Sequence, residues 1–106
     1  MSQRQKNASL KLILPSALEE QVIDHLLRHP EGVGPFLAYR ADGHGRPGSI
    51  ASSGEQVRGR AERVVVEILL DADRAPDLVA HLKAELPNAD IAWWIAPVLA
   101  SGDFSS

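Results

Sequence analysis

The stretch best equipped for chemistry is a histidine between two glycines, Gly43-His44-Gly45, followed by Arg46 and then by Gln56, Arg58, Gly59 and Arg60. Glycine permits positive φ and close approach of backbone to a ligand. Arg46, Arg58 and Arg60 offer forked donors that match a phosphate or carboxylate. His44, flanked by glycines, presents an accessible imidazole that can ligate a borderline metal ion as a neutral base. The segment 43–59 is long for a connection inside a compact domain, and loops of that length are usually functional or disordered. The alternative is a solvated hairpin connection. The Gly-x-Gly is not a dinucleotide fingerprint, because no third glycine opens a helix after it.

Other candidates carry less. His25 and His29 are four apart on an expected helix, a spacing that places both on one side and can chelate a transition metal. The residues between them, Leu26, Leu27 and Arg28, supply no acid in the His-Glu-x-x-His manner, and Arg28 repels a cation. Both are expected on a solvated rim, and His81 on the surface. Trp93 and Trp94 can stack on a ligand, but aromatic residues in a strand more often fill the core and subunit interfaces. No catalytic constellation emerges. Ser49, Ser52 and Ser53 lie near His44 and Asp42, yet a mobile polar loop offers neither an oxyanion hole nor an oriented base. The expectation is a binding protein, not an enzyme.

The elements that must position these residues follow from periodicity. Leu10, Leu12 and Leu14 alternate with Lys11 and Ile13, a strand stopped by Pro15. Ser16 and Glu19 read as a capping box, followed by Leu18, Val22, Ile23, Leu26 and Leu27 at helical spacing. A second strand runs over about 33–41. Val64 to Leu70 is the clearest strand, with Val64, Val66, Ile68 and Leu70 on one side and Val65 and Leu69 on the other. Asp71 or Asp73 is expected to cap a second helix with Pro76 in its first turn and Leu78, Val79, Leu82 and Leu86 buried. A last strand covers 91–98. The order strand, helix, strand, strand, helix, strand predicts an α+β, ferredoxin-like βαββαβ domain: a four-stranded antiparallel sheet with both helices on one face. Residues 1–7 read as a disordered tail, 8–100 as the domain and 101–106 as a second tail.

Two helices cover one face of a sheet, yet the strands are apolar on both. Adjacent Trp93 and Trp94 must point to opposite faces. The uncovered face is therefore expected to be buried against other subunits. With 11 basic and 14 acidic residues the chain lacks the basic surface of a general nucleic-acid binder. It has no cysteine, so neither a thiolate metal site nor a disulfide framework is available. Met1 to Asn7 has no apolar signal stretch, and the run 91–100, broken by Pro97, is too short to span a membrane. No membrane insertion and a cytoplasmic location are the expectations.

Gly43 to Gly48 closing the second strand, Glu55-Gln56-Val57-Arg58-Gly59-Arg60-Ala61-Glu62 opening the third, and Ile95-Ala96-Pro97-Val98 ending the fourth together resemble the PII signalling superfamily. The Glu-Gln-Val-x-Gly-Arg run and the tryptophan before Pro-Val are similar to a PII-like family often encoded beside heavy-metal efflux systems. The resemblance implies a homotrimer with loops projecting between subunits, a regulatory role, and a partner such as an efflux transporter or its regulator. It also implies a ligand site at Gly43, His44, Gly45, Arg46, Gln56, Arg58, Gly59 and Arg60. Nucleotide-binding PII proteins carry Gly-Asp-Gly-Lys before the last strand and arginines after it. Here that stretch is 85–91, without glycine or lysine and with two carboxylates, Glu85 and Asp90, that repel phosphate. The tail 99–106 has no arginine. The departures argue against ATP binding in the PII manner and leave the ligand unnamed, with a metal ion at His44 as the alternative and a ligand-free interaction module as another.

Overall fold

The computed structural model describes residues 6–29, 32–44 and 61–105. Among these residues, four strands and two α-helices follow in chain order: β1 (Ala8–Leu14), α1 (Glu19–Arg28), β2 (Phe36–Gly43), β3 (Ala61–Leu70), α2 (Ala75–Glu85) and β4 (Ala92–Pro97). The sheet order is β2-β3-β1-β4, and every neighbouring pair is antiparallel. This is the ferredoxin-like arrangement expected from the sequence.

Side chains two apart share a face of a strand, so register fixes what each face contains. Ala8, Leu10, Leu12 and Leu14 of β1 oppose Leu70, Ile68, Val66 and Val64 of β3. All eight are buried and face the helices. Val22 and Leu26 of α1 and Ala75, Leu78, Val79 and Leu82 of α2 complete this core. Full burial of one such aliphatic side chain contributes about 1.5–3 kcal/mol. The chain between α1 and β2 passes so close to β3 that a Cβ on Gly34 would lie 2.1 Å from the Leu69 carbonyl oxygen. Only glycine fits there.

The helix starts differ from expectation. Ser16 falls in a short 3-10 turn, Ser16–Leu18, and neither that turn nor α1 has a side-chain cap. Asp71 accepts a hydrogen bond from the Asp73 amide at 2.9 Å, an Asx-type turn that precedes α2 instead of capping it. Pro76 does sit in the first turn of α2. The buried side of α1 is also rotated from the expected stripe. Val22, His25 and Leu26 are buried, whereas Leu27 is 63% exposed. Among the described residues no helix is long and apolar enough to cross a membrane.

Candidate functional site

The β2–β3 hairpin carries the loop singled out in the sequence. Its strands pair from Phe36↔Ile68 to Gly43↔Ala61, further into the polar stretch than the alternation pattern implied. Asp42 and Gly43 are thus strand residues. Gly43 is buried and His44, the next residue, is exposed. Gly45, Arg46, Gln56, Arg58, Gly59 and Arg60 lie outside the described residues. At the foot of the loop is an open cleft of ≈ 620 Å³ lined by Ser16, Arg40, Ala41, Asp42, Glu62 and Arg63. Arg40 projects into solvent with Glu19 3.8 Å away. Arg63 is 2% exposed and donates to Asp90 Oδ2 at 3.0 Å. Two guanidinium and two carboxylate groups around one opening suit a small polar molecule with donors and acceptors of its own.

The two carboxylates of 85–91 both have cationic neighbours. Asp90 meets Arg63, and Glu85 Oε2 accepts from Arg28 Nη2 at 3.1 Å. Their repulsion of a phosphate is correspondingly blunted, while the missing glycine and lysine of the nucleotide-binding segment remain missing.

The histidines need a correction. His29 and His81 are exposed, but His25 is not on a solvated rim: it is 3% exposed. The cause is α2, which brings Glu85 Oε2 to 3.1 Å from His25 Nδ1. Among the described residues this contact is the one polar approach to Nδ1, and Nε2 has no hydrogen-bond partner. The His29 ring lies 4.6 Å from that of His25. His29 also lines a cleft of ≈ 100 Å³ with Asp77 and His81. Sequence spacing exposed the His25–His29 pair but not Glu85, which lies on another element 57 residues beyond Arg28. Glu85 is held below the ordinary carboxylate range, first by His25 and then, against some desolvation, by the charges of His25 and Arg28.

The face of the sheet away from the helices holds a second polar group that the sequence did not reveal. Glu67 stands among Val65, Leu69, Leu37 and Trp94. Ser9 donates to its Oε2 at 3.1 Å, Tyr39 to its Oε1 at 3.2 Å, and Lys11 Nζ is 3.5 Å from Oε2. Desolvation raises the Glu67 carboxyl, but Ser9, Lys11 and Tyr39 together outweigh it and hold it low. Around this cluster Leu37 is 57% and Trp94 48% exposed. The register puts Trp94 opposite Lys11 on this face and Trp93 opposite Leu12 on the helix side, so the two indoles do diverge. Trp93 is not core, however. It is 42% exposed on an edge strand, with Lys83 Nζ 5.7 Å from its ring.

The sequence matches the family described as "Protein of unknown function (DUF3240)" over residues 4–105. The chain belongs to this family. A DUF3240 protein from Shewanella baltica has the same fold, with a TM-score of 0.76 at 21% identity, over 95% of this chain and 99% of that one. A nitrogen regulatory PII-like protein from Thiomonas intermedia, solved with ADP, AMP and bicarbonate, superposes with a TM-score of 0.66 at 14% identity, over 92% and 96% of the two chains. A PII-like signalling protein from Thermus thermophilus gives 0.60 at 16%, over 87% and 85%. No curated protein matches the sequence. This DUF3240 chain thus has a fold shared with PII-like proteins, as the sequence resemblance implied.

Proposed function

We propose that this chain is a PII-like regulatory or sensor protein, not an enzyme. A small polar ligand or a metal ion settles at the foot of the 43–59 loop, changes the order or pose of that loop, and so alters contact with a partner protein. The reading is carried by the charged cleft of Arg40, Asp42, Glu62 and Arg63 beside Gly43 and His44. A ligand shifts a loop equilibrium only through contacts that differ between the two states, and a cleft at the hinge of the loop is where such contacts form. Bicarbonate is a candidate by likeness to the Thiomonas protein, and metal ions through His44, while the missing glycine and lysine of 85–91 weigh against adenine nucleotides. Arg46, Arg58 and Arg60 complete the site in this reading.

The open sheet face supports assembly. Its exposed Leu37, Tyr39 and Trp94 form an apolar surface that a homotrimer would cover. An efflux transporter or its regulator as the partner follows from family resemblance alone.

The test is native mass spectrometry of the full chain with hydrogen exchange of the loop, using bicarbonate, AMP, ADP, ATP, zinc and copper. A trimer that takes up one of these in fixed stoichiometry, with new protection in 43–60, is the expected result. A trimer without ligand-dependent protection across the panel would turn the assignment to a protein-interaction module. A monomer would overturn the assembly as well.

A further inference from the structure

The seam between the two helices holds a group of residues that the loop reading does not use. His25 is buried, yet among the described residues its Nε2 has no hydrogen-bond partner and its Nδ1 meets only Glu85 Oε2, at 3.1 Å. A buried polar atom left without a hydrogen bond is destabilising. Such a group in a native protein calls for a reason, and an ion is one of the few. Nothing about the helix spacing forces a histidine here, since a leucine would extend the Val22–Leu26 stripe.

We infer that His25, His29 and Glu85 form a binding site for a divalent first-row transition cation of the zinc and cobalt class. One ligating atom from each of the three lies within 4.8 Å of those of the other two. His25 Nδ1 and Glu85 Oε2 are 3.1 Å apart, a separation that two ligands of one ion can share. Ligands about 2.1 Å from a tetrahedral ion stand roughly 3.4 Å from one another. The i, i+4 histidines chelate from one helix, and the carboxylate closes the site from the other.

The donor set selects the class of ion. Two imidazoles and one carboxylate, with no cysteine in the chain, suit zinc, cobalt or nickel better than soft copper(I) or the oxygen-seeking magnesium and calcium. Three protein ligands leave a fourth position for water or an exchangeable ligand. His29 and Glu85 are on the solvent side, so the ion has an entry path. Arg28 is the opposing feature, because it holds Glu85 through the same Oε2 that faces His25. Its side chain is 58% exposed and free to swing outward when a cation takes its place.

The site is separate from the loop and stands or falls apart from it. The experiment is titration of the chelator-treated full chain near neutral pH with zinc against a chromophoric competitor, and with cobalt(II) followed by visible absorption. One equivalent per chain is expected, with the absorption of a four-coordinate cobalt centre. His29 and Glu85 are exposed, so their variants leave the core untouched and carry the test. His29→Ala and Glu85→Gln should each weaken binding on the order of tenfold or more. Arg28→Ala should tighten it, because a like charge leaves, and His44→Ala should leave it unchanged. Absence of stoichiometric binding overturns the site, as does full affinity in both His29→Ala and Glu85→Gln. A loss confined to His44→Ala overturns it in favour of the loop.

Discussion

Glu67 and Glu85 are the same residue in two different settings, one on the open face of the sheet and one at the seam between the helices. Glu67 is answered by three side chains from two strands, and both of its oxygens are engaged: Ser9 and Lys11 at Oε2, Tyr39 at Oε1. Glu85 is exposed along its tip, and both of its contacts, Arg28 and His25, fall on Oε2. The imidazole beside it is buried, and among the described residues its Nε2 has no hydrogen-bond partner. A saturated cluster in an apolar surface fixes register and orientation, since every polar group already has its partner. An unsaturated one costs stability in isolation and repays it when something else binds. The first is what a structural or assembly surface needs, and the second is what a ligand site needs.

The sharpest break of this comparison comes from adding metal. Zinc at a hundredfold excess over its dissociation constant should stabilise the wild-type chain by about 2.7 kcal/mol in urea unfolding, through preferential binding to the native state. His25→Leu should abolish that gain. Glu67→Ala should do the reverse. It should leave the zinc effect intact and lower stability by about 1 kcal/mol through three lost contacts at a half-buried site. A Glu67→Ala protein as stable as wild type would mean that the cluster contributes nothing to the monomer. The smaller effect belongs to His25→Leu in the presence of chelator. Replacing a buried, unsatisfied imidazole with an apolar side chain of similar size should leave stability unchanged or slightly raised. A loss of roughly 2 kcal/mol or more would show that the His25–Glu85 contact is structural, and the contrast between the two glutamates would fail.

Much of this architecture is legible in the sequence because it depends on local period. The alternation in β1 and β3 told which side chains share a face, and Trp93 beside Trp94 required opposite directions, as the register shows. The element order led directly to the four-stranded antiparallel sheet of the ferredoxin-like fold. What escaped depends on contacts between elements distant in the chain. The burial of His25 is decided by α2, and no pattern within 19–28 could show that Leu27 rather than His25 faces water. Glu67 is the single charge within 64–70, and its partners sit on β1 and β2. Ser16 and Glu19 have the right types for a capping box, but the chain leaves Pro15 through a 3-10 turn and the box does not form. Of the loop residues, Gly43 and His44 reach the described structure, and the charged groups of the cleft beside them come from Arg40, Asp42, Glu62 and Arg63, none of which local pattern singles out as ligand-binding.

The smallest effect gives the cleanest readout, because Tyr39 is the single tyrosine in the chain. Desolvation raises its phenol above the ordinary value, and the hydrogen bond to Glu67 and the charge of that carboxylate raise it further. The folded phenol therefore keeps its proton at pH values where the unfolded chain has lost it. The stability this adds is fully present below the ordinary tyrosine value of about 10 and is lost as pH rises through the raised folded value. Ultraviolet difference absorbance of the folded chain should show Tyr39 ionising late. Glu67→Gln should bring it back part of the way and no further, since the desolvation remains. If Glu67→Gln left the titration unchanged, Tyr39 and Glu67 would be neighbours without coupling, and the open face would lose its claim to a saturated cluster. A full return to the ordinary value would instead mean that Glu67 alone sets the shift, and that the surface around Tyr39 is wetter than its apolar neighbours imply.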